Sequence, residues 1–229
     1  ICANDGLGKD DEMVVVDNAQ CETRYINGNI YVGHWLDLGP SGLGEMTYAA
    51  DSSNFTGSWK DGLRSGQGVI RYNNGDVFTG VWELDLRVDG PGKMQSNNGD
   101  SYEGQWRRER RDGRGATLFA DGSTYEGFWR CDKFDGMGTM VYCNKDQYGG
   151  QWRDNFKEGQ GVLTFFSGPW MRFEGSWQAD KKNGLGILVY RNLERSSGEW
   201  KDDRLEDIAP EATNLLRWQH VSGQEPRAM

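Results

Sequence analysis

Residues 102–129 read YEGQWRRERRDGRGATLFADGSTYEGFW and contain one full period of a repeating pattern. The period opens with an aromatic-x-Gly-x-Trp pentapeptide, passes through a charged loop to a Gly-x-Gly pair, and reaches the next pentapeptide at Tyr125. Seven such pentapeptides occur, their tryptophans lie 23–25 residues apart, and a degraded eighth copy contains Trp200. Self-similarity at a fixed period of this length predicts a repeat architecture in which each unit packs on its neighbours.

Each period has the residue alternation of two β-strands. In the first strand the aromatic residue, the glycine and the tryptophan share one face, and in the second strand a mostly apolar residue follows the Gly-x-Gly pair on that face. This column reads Met46, Ile70, Met94, Thr117, Met140, Leu163 and Leu188. Turn sequences such as Asn74-Gly75 separate the hairpins and favour positive φ. Glycines inside strands normally weaken them; here we expect each to leave room for an aromatic ring lying flat on the backbone.

These patterns predict an all-β fold, a single elongated and twisted antiparallel β ribbon of tandem hairpins. We expect three regions: an acidic amino-terminal segment with a capping strand (1–22), a domain of about eight repeats (23–206), and a short amphipathic capping helix with a tail (207–229). The helix prediction rests on one apolar face with helical spacing. That face contains Ile208, Ala212, Leu215, Leu216 and Gln219.

The recurring pentapeptide and glycine pair resemble the MORN repeat (membrane occupation and recognition nexus) over roughly residues 25–200. The resemblance implies a twisted ribbon of MORN hairpins with a groove along one face. It also implies scaffolding roles in the cytoskeleton, in cell division, or in a cilium, flagellum or axoneme, and in some members attachment to an enzyme. Local departures are Lys145 in place of a turn glycine, one extra residue between Trp82 and Gly90, and a lengthened turn at 167–171.

Residues with catalytic potential are scarce. The two histidines, His34 and His220, lie far apart in the sequence, and no nucleophile elbow, HExxH or P-loop motif occurs. The Gly-x-Gly pairs recur within strands, whereas a dinucleotide-binding fingerprint occurs once, at the start of a helix. We therefore do not interpret these pairs as a nucleotide-binding loop. Cys131 and Cys143 lack a histidine or second cysteine pair for zinc. We therefore predict a protein that is not an enzyme and has neither cofactor nor metal site.

Composition narrows the choice of partner and compartment. The formal net charge of −9 argues against a nucleic-acid partner. The sequence contains neither an apolar run long enough to cross a membrane nor a signal peptide, and its four cysteines form no CxxC pair. We expect an intracellular, reducing setting, in the cytoplasm or cytoskeleton, with a cilium or flagellum suggested by the resemblance alone.

The aromatic face of the ribbon is the first candidate binding surface, which we call the aromatic groove. It comprises Tyr31, Trp35, Phe55, Trp59, Phe78, Trp82, Tyr102, Trp106, Tyr125, Trp129, Tyr148, Trp152, Phe173 and Trp177. These rings fill the core, but a single-layer sheet has no second layer to cover them. We expect part of this face to stay open and to hold a partner helix or extended peptide, with the tyrosines at its wetter rim.

The second candidate surface is the loop after Trp106, which we call the basic edge. It comprises Arg107, Arg108, Arg110, Arg111 and Arg114. It is interpreted as a solvated loop, or as a docking site for an acidic protein surface such as a cytoskeletal filament, or for anionic lipid. The remaining alternatives are a regulatory module of a larger enzyme and a homodimer formed through the groove or end to end.

Overall fold

The computed structural model describes residues 11–17, 20–36 and 39–206, which form one antiparallel sheet of nineteen strands. The predicted all-β class is confirmed, and these described residues contain no helix. The predicted capping helix falls in 207–229, outside the described residues. The strands are β1 (Glu12–Asp17), β2 (Gln20–Arg24), β3 (Ile30–Leu36), β4 (Gly39–Thr47), β5 (Asn54–Lys60), β6 (Leu63–Arg71), β7 (Val77–Glu83), β8 (Leu86–Arg87), β9 (Gly90–Gln95), β10 (Ser101–Arg107), β11 (Arg110–Leu118), β12 (Thr124–Arg130), β13 (Lys133–Val141), β14 (Gln147–Arg153), β15 (Phe156–Thr164), β16 (Trp170–Gln178), β17 (Lys181–Tyr190), β18 (Arg195–Lys201) and β19 (Arg204–Leu205).

A row of glycines crosses the sheet, because each pentapeptide glycine pairs with the second glycine of a Gly-x-Gly pair. Gly150, for example, lies opposite Gly161 in the β14–β15 pair. A Cβ built on Gly150 would lie 2.6 Å from the hydroxyl oxygen of Tyr148. The predicted close approach of rings to the strand glycines is confirmed.

Each hairpin bends near its tip. In the β5–β6 pair the register shifts between Gly57 and Trp59, which is a β-bulge. The first glycine of the next Gly-x-Gly pair, Gly66, has a φ of +94°, in the left-handed region that favours glycine. Bulge and glycine together turn the hairpin end over the aromatic face, where the Arg64 guanidinium lies over the ring of Trp82. The bent hairpin ends therefore form a second layer over the aromatic face of the same sheet.

The core is a continuous series of edge-to-face ring contacts that links successive repeats. The Tyr148 ring centroid lies 5.0 Å from that of Trp152 in its own pentapeptide and 5.3 Å from that of Trp177 in the next. The Trp177 indole N–H also donates a hydrogen bond to the carbonyl of Gly161 at 3.2 Å. The predicted inward column is confirmed: five of its residues are buried, and Met94 and Leu163 are partly buried.

Two of the departures from the repeat pattern lie at turns. Lys145 adopts a φ of +72° where neighbouring repeats have glycine. In the lengthened turn, the Arg191 guanidinium donates hydrogen bonds to the carbonyls of Phe165, Phe166 and Gly168. Both turns therefore keep the hairpin connection, the first at a cost in backbone strain and the second through a side chain.

Candidate interaction surfaces of the β ribbon

The fourteen rings of the aromatic groove are 0–8% exposed. The expectation that part of this face stays open is therefore wrong for these rings. A covering layer exists because the hairpin ends bend back, which strand alternation alone does not reveal. A partner could reach the rings only by displacing those ends.

The tyrosine hydroxyls also point inward and not to a wet rim. Each donates to the carbonyl of the bulge residue three positions on, as Tyr102 does to Gln105 at 2.8 Å and Tyr148 to Gln151 at 2.9 Å. The register skips these bulge residues, so the hydroxyl takes the place of a lost ladder hydrogen bond. Burial raises the pKa of Tyr102 to about 12 and raises the pKa of Tyr148 further. These tyrosines are structural donors at neutral pH.

The covering layer is a column formed by the fifth residue after a tryptophan, which we call the covering column. It comprises Arg64, Arg87, Arg111, Phe134, Lys157 and Lys182. The Arg111 guanidinium carbon lies 4.2 Å from the ring centroid of Trp129 in the next repeat, a cation–π contact. Phe134 stacks on Tyr125 with centroids 3.9 Å apart.

Each covering cation is held by an acid in the next repeat. The Arg111 backbone N–H and Nε both donate to the Asp132 carboxylate, at 2.9 and 3.1 Å. The Asp132 N–H returns a hydrogen bond to the Arg111 carbonyl at 2.9 Å. Arg64 and Asp85 repeat this arrangement. Sequence reasoning missed the column because charged loop residues were interpreted as solvated; the signal available was their constant distance from tryptophan.

The five arginines of the basic edge do not form one patch. Arg107, Arg108 and Arg110 are exposed at the hairpin tip, and Arg107 lies 3.5 Å from Asp112. Arg111 is folded over Trp129 in the covering column. Arg114 lies on the opposite face of the sheet, paired with Glu126 at 2.8 Å. A surface for filament or lipid docking would therefore have three of the five side chains available at the tip.

The sheet face opposite the rings, which we call the open face, carries three shallow depressions. Two of them adjoin on strands β6–β14 and share Arg114 and Glu126. Within them Phe128 is 49% exposed and Met137 is 55% exposed. Phe128 occupies a position where most other repeats have a polar residue such as Gln105. Alternation along the strands assigns both Phe128 and Met137 to this face.

The MORN repeat family model matches residues 55–77, 102–124, 125–147, 148–169 and 173–195. The chain is a MORN-repeat protein. The pentapeptides at Tyr31, Phe78 and Trp200 lie outside those five matches but occupy the same sheet positions. A comparison with curated proteins finds no match.

Among solved structures, the MORN-repeat chain is similar to TCP domains at low identity. One is the SAS-4 (dCPAP) TCP domain of Drosophila melanogaster in complex with a proline-rich motif of Ana2 (dSTIL), with 13% identity, a TM-score of 0.44, and coverage of 87% of this chain and 97% of that chain. Another is the TCP10 domain of Danio rerio CPAP, with 13% identity, a TM-score of 0.47, and coverage of 86% and 98%. The same domain with a STIL peptide gives 11% identity and a TM-score of 0.47, with coverage of 87% and 98%.

In the MORN-repeat protein, aspartates of the turns between hairpins accept hydrogen bonds from the next turn along the sheet. Asp76 accepts a hydrogen bond from the Asn97 N–H at 2.8 Å, and Asp100 accepts one from the Ala120 N–H at 2.8 Å. Across the part of the chain that the structure describes, no group of His, Cys, Asp and Glu could hold a metal ion. Within those same residues no helix is long and apolar enough to cross a membrane.

Proposed function

We propose that this MORN-repeat chain is a non-catalytic interaction scaffold that holds a helix or extended segment of a partner protein on its open face. The observation that supports this best is the closure of the aromatic groove by the covering column. Because the rings are covered from within the chain, the sheet needs no partner to bury its core, and its open face stays available. The fourteen rings act here as the core that shapes the face.

The open face offers both anchors and orientation. Phe128 and Met137 supply exposed apolar area, and the neighbouring pairs Lys93–Glu103 (3.7 Å) and Arg114–Glu126 (2.8 Å) supply charge. Apolar anchors within a polar surround are typical of protein interfaces. A cytoskeletal or ciliary assembly as the setting is proposed from the family resemblance.

The test is a proximity-labelling and pull-down comparison of the full chain with a Phe128→Glu variant. Phe166→Glu is the matched control, because Phe166 is 67% exposed at a turn and away from the open face. We expect Phe128→Glu to lose at least one abundant partner that Phe166→Glu keeps. Identical partner sets for wild type and both variants would overturn the open face as the working surface.

A further inference from the structure

Gly149 is a strand glycine that the fold itself does not require. It lies in β14 between Tyr148 and Gly150, and strand alternation places it on the open face. Its φ is not in the left-handed region, and a Cβ built on it would meet the Thr139 hydroxyl oxygen at 3.7 Å, an ordinary contact distance. A Cβ on Gly150, in contrast, would lie 2.6 Å from the Gly161 Cα. Among the described residues, neither backbone conformation nor packing therefore requires glycine at position 149.

The same position carries a side chain in the other six complete pentapeptides. Its occupants there are Val32, Thr56, Thr79, Glu103, Glu126 and Glu174. A glycine inside a strand weakens the strand, and one of its uses is to let a ligand or another backbone approach closely. A contact from outside the chain would account for the glycine at position 149.

Gly149 interrupts one wall of the smaller of the two adjoining depressions on the open face. This depression has a volume of about 530 Å³. One wall holds the exposed side chains of Phe128 and Met137, and the other holds Thr139 and Gly149. The walls are alternate residues of the same strands and lie about 7 Å apart. At Gly149 a flat group has room to lie on the β14 backbone, between Thr139 and Val162 of the neighbouring strands.

We propose that this depression binds an aromatic side chain of the partner segment, with the ring lying on Gly149. The inference rests on the proposed function and names the anchor by which the partner is recognised. The chain uses strand glycines in the same way on its aromatic face, where the Tyr148 side chain lies against Gly150 and Gly161. An aromatic ring over a strand glycine restores the packing that the missing side chain gives up.

The other lining residues favour a neutral aromatic ring over a charged side chain. The two charged residues of the depression, Arg114 and Glu126, pair with each other at 2.8 Å, so they leave no counter-charge for a charged anchor. Phe128 offers an edge-to-face contact, and the Met137 sulfur makes favourable contacts with aromatic rings. The Arg114 side chain is 73% exposed and offers a cation–π contact. An aliphatic anchor would gain buried area but none of these directional contacts.

The test measures binding of N-acetyl-tryptophanamide to the isotope-labelled full chain by NMR, with N-acetyl-leucinamide as the aliphatic comparison. We expect the aromatic compound to shift the backbone amide signals of Gly138, Gly149 and Gly150 with a roughly millimolar dissociation constant. The leucine compound should bind at least about threefold more weakly, because it lacks the ring contacts.

The variant Gly149→Thr fills the depression with the residue that Thr56 and Thr79 provide at this position in other repeats. Threonine favours strands more than glycine does, so we expect urea denaturation to show a variant at least as stable as wild type. It should nevertheless bind the tryptophan compound at least about tenfold more weakly. Thr56→Val, at the same position of another repeat, is the matched control and should bind like wild type.

The absence of shifts at these amides, or equal binding of the leucine compound, would overturn the aromatic anchor. Equal binding by wild type and Gly149→Thr would overturn the assignment to Gly149. In the pull-down, a partner that Phe128→Glu loses and Gly149→Thr keeps would leave the proposed function standing without this anchor. Identical partner sets for wild type and Phe128→Glu would instead remove the open face as the working surface, and the anchor with it.

Discussion

The guanidinium carbon of Arg64 lies 4.3 Å from the ring centroid of Trp82, in the repeat that follows it. The Arg64 side chain is 18% exposed, although Arg64 is the second residue of β6 and lies next to a hairpin tip. This contact and its equivalents provide the layer that a one-sheet fold otherwise lacks. Long cationic side chains are suited to this place because their methylene stems cover apolar surface while the charge reaches an acid at the edge.

Removing a covering side chain should destabilise the sheet. We expect Arg111→Ala to lower the free energy of unfolding by about 2 kcal/mol, because Trp129 loses its cation–π contact and Asp132 loses its partner. Arg111→Phe should cost less, since Phe134 occupies the same position in the next repeat. Urea denaturation followed by tryptophan fluorescence measures both. Arg110→Ala on the same strand is the control, expected to change the free energy by less than about 0.5 kcal/mol.

The hydroxyl of Tyr148 should contribute measurably to stability. Tyr148→Phe removes the hydrogen bond to the Gln151 carbonyl, and we expect a loss of about 1 kcal/mol. The reverse change, Phe173→Tyr, offers a hydroxyl to the equivalent bulge and should not lower stability. Thermal unfolding of the two variants against wild type decides the matter. Equal destabilisation by both changes would show that ring packing, and not the hydroxyl, governs this site.

Lys145 occupies a left-handed turn position, with a φ of +72°. We expect Lys145→Gly to raise the free energy of unfolding by about 1 kcal/mol, because glycine adopts this conformation without the Cβ clash. Lys60→Gly in strand β5 is the matched control and should lower it by about 0.5–1 kcal/mol, since glycine weakens a strand. Chemical denaturation compares the two. A loss of stability in Lys145→Gly would contradict the strain argument.

Burial raises the pKa of eight of the nine tyrosines. The pKa of Tyr102 rises from 10.0 to about 12. The unfolded chain therefore loses the Tyr102 proton at lower pH than the folded chain does. Below pH 10 this tyrosine leaves stability unchanged with pH, and between about pH 10 and 12 it makes stability fall as pH rises.

The absorbance of tyrosinate tests this expectation. In the folded protein most of the tyrosinate signal should appear above the pH at which it appears in urea. Tyr102→Phe should make the alkaline loss of stability less steep. A folded-state titration that overlays the urea titration would contradict the burial of these hydroxyls.

Periodicity was sufficient to predict the hairpins, the inward column and the ring contacts on strand glycines. These features depend only on the two-residue alternation of a strand and on the spacing of Trp129 and its equivalents. The bent hairpin ends could not be predicted in this way, because the bend depends on the bulge after Gly57 and the left-handed φ of Gly66. The sequence analysis therefore interpreted the charged residues near the hairpin tips as solvated, whereas in the structure Arg64 and its equivalents pack on tryptophan rings.

The prediction of the binding surface was affected as well, because it did not include the bent hairpin ends. Once the covering column closes the aromatic face, available apolar area lies on the other side, at Phe128 and Met137. Alternation already assigned those residues to that side. The expectation that the aromatic face stays open was wrong for these rings, because the sequence contains no direct signal for how far a bent hairpin end reaches.

Each cation of the covering column lies over the indole of the following repeat, and each pentapeptide ring contacts the following tryptophan. Separating the sheet between two repeats would therefore produce two unlike ends. The amino-terminal fragment would end in a cation without its acid and a pentapeptide ring without its neighbouring tryptophan. The carboxyl-terminal fragment would begin with an exposed indole and with an acid, equivalent to Asp132, that has lost its cation. The molecule thus has an intrinsic polarity along its length, and only head-to-tail contact restores what such a break removes.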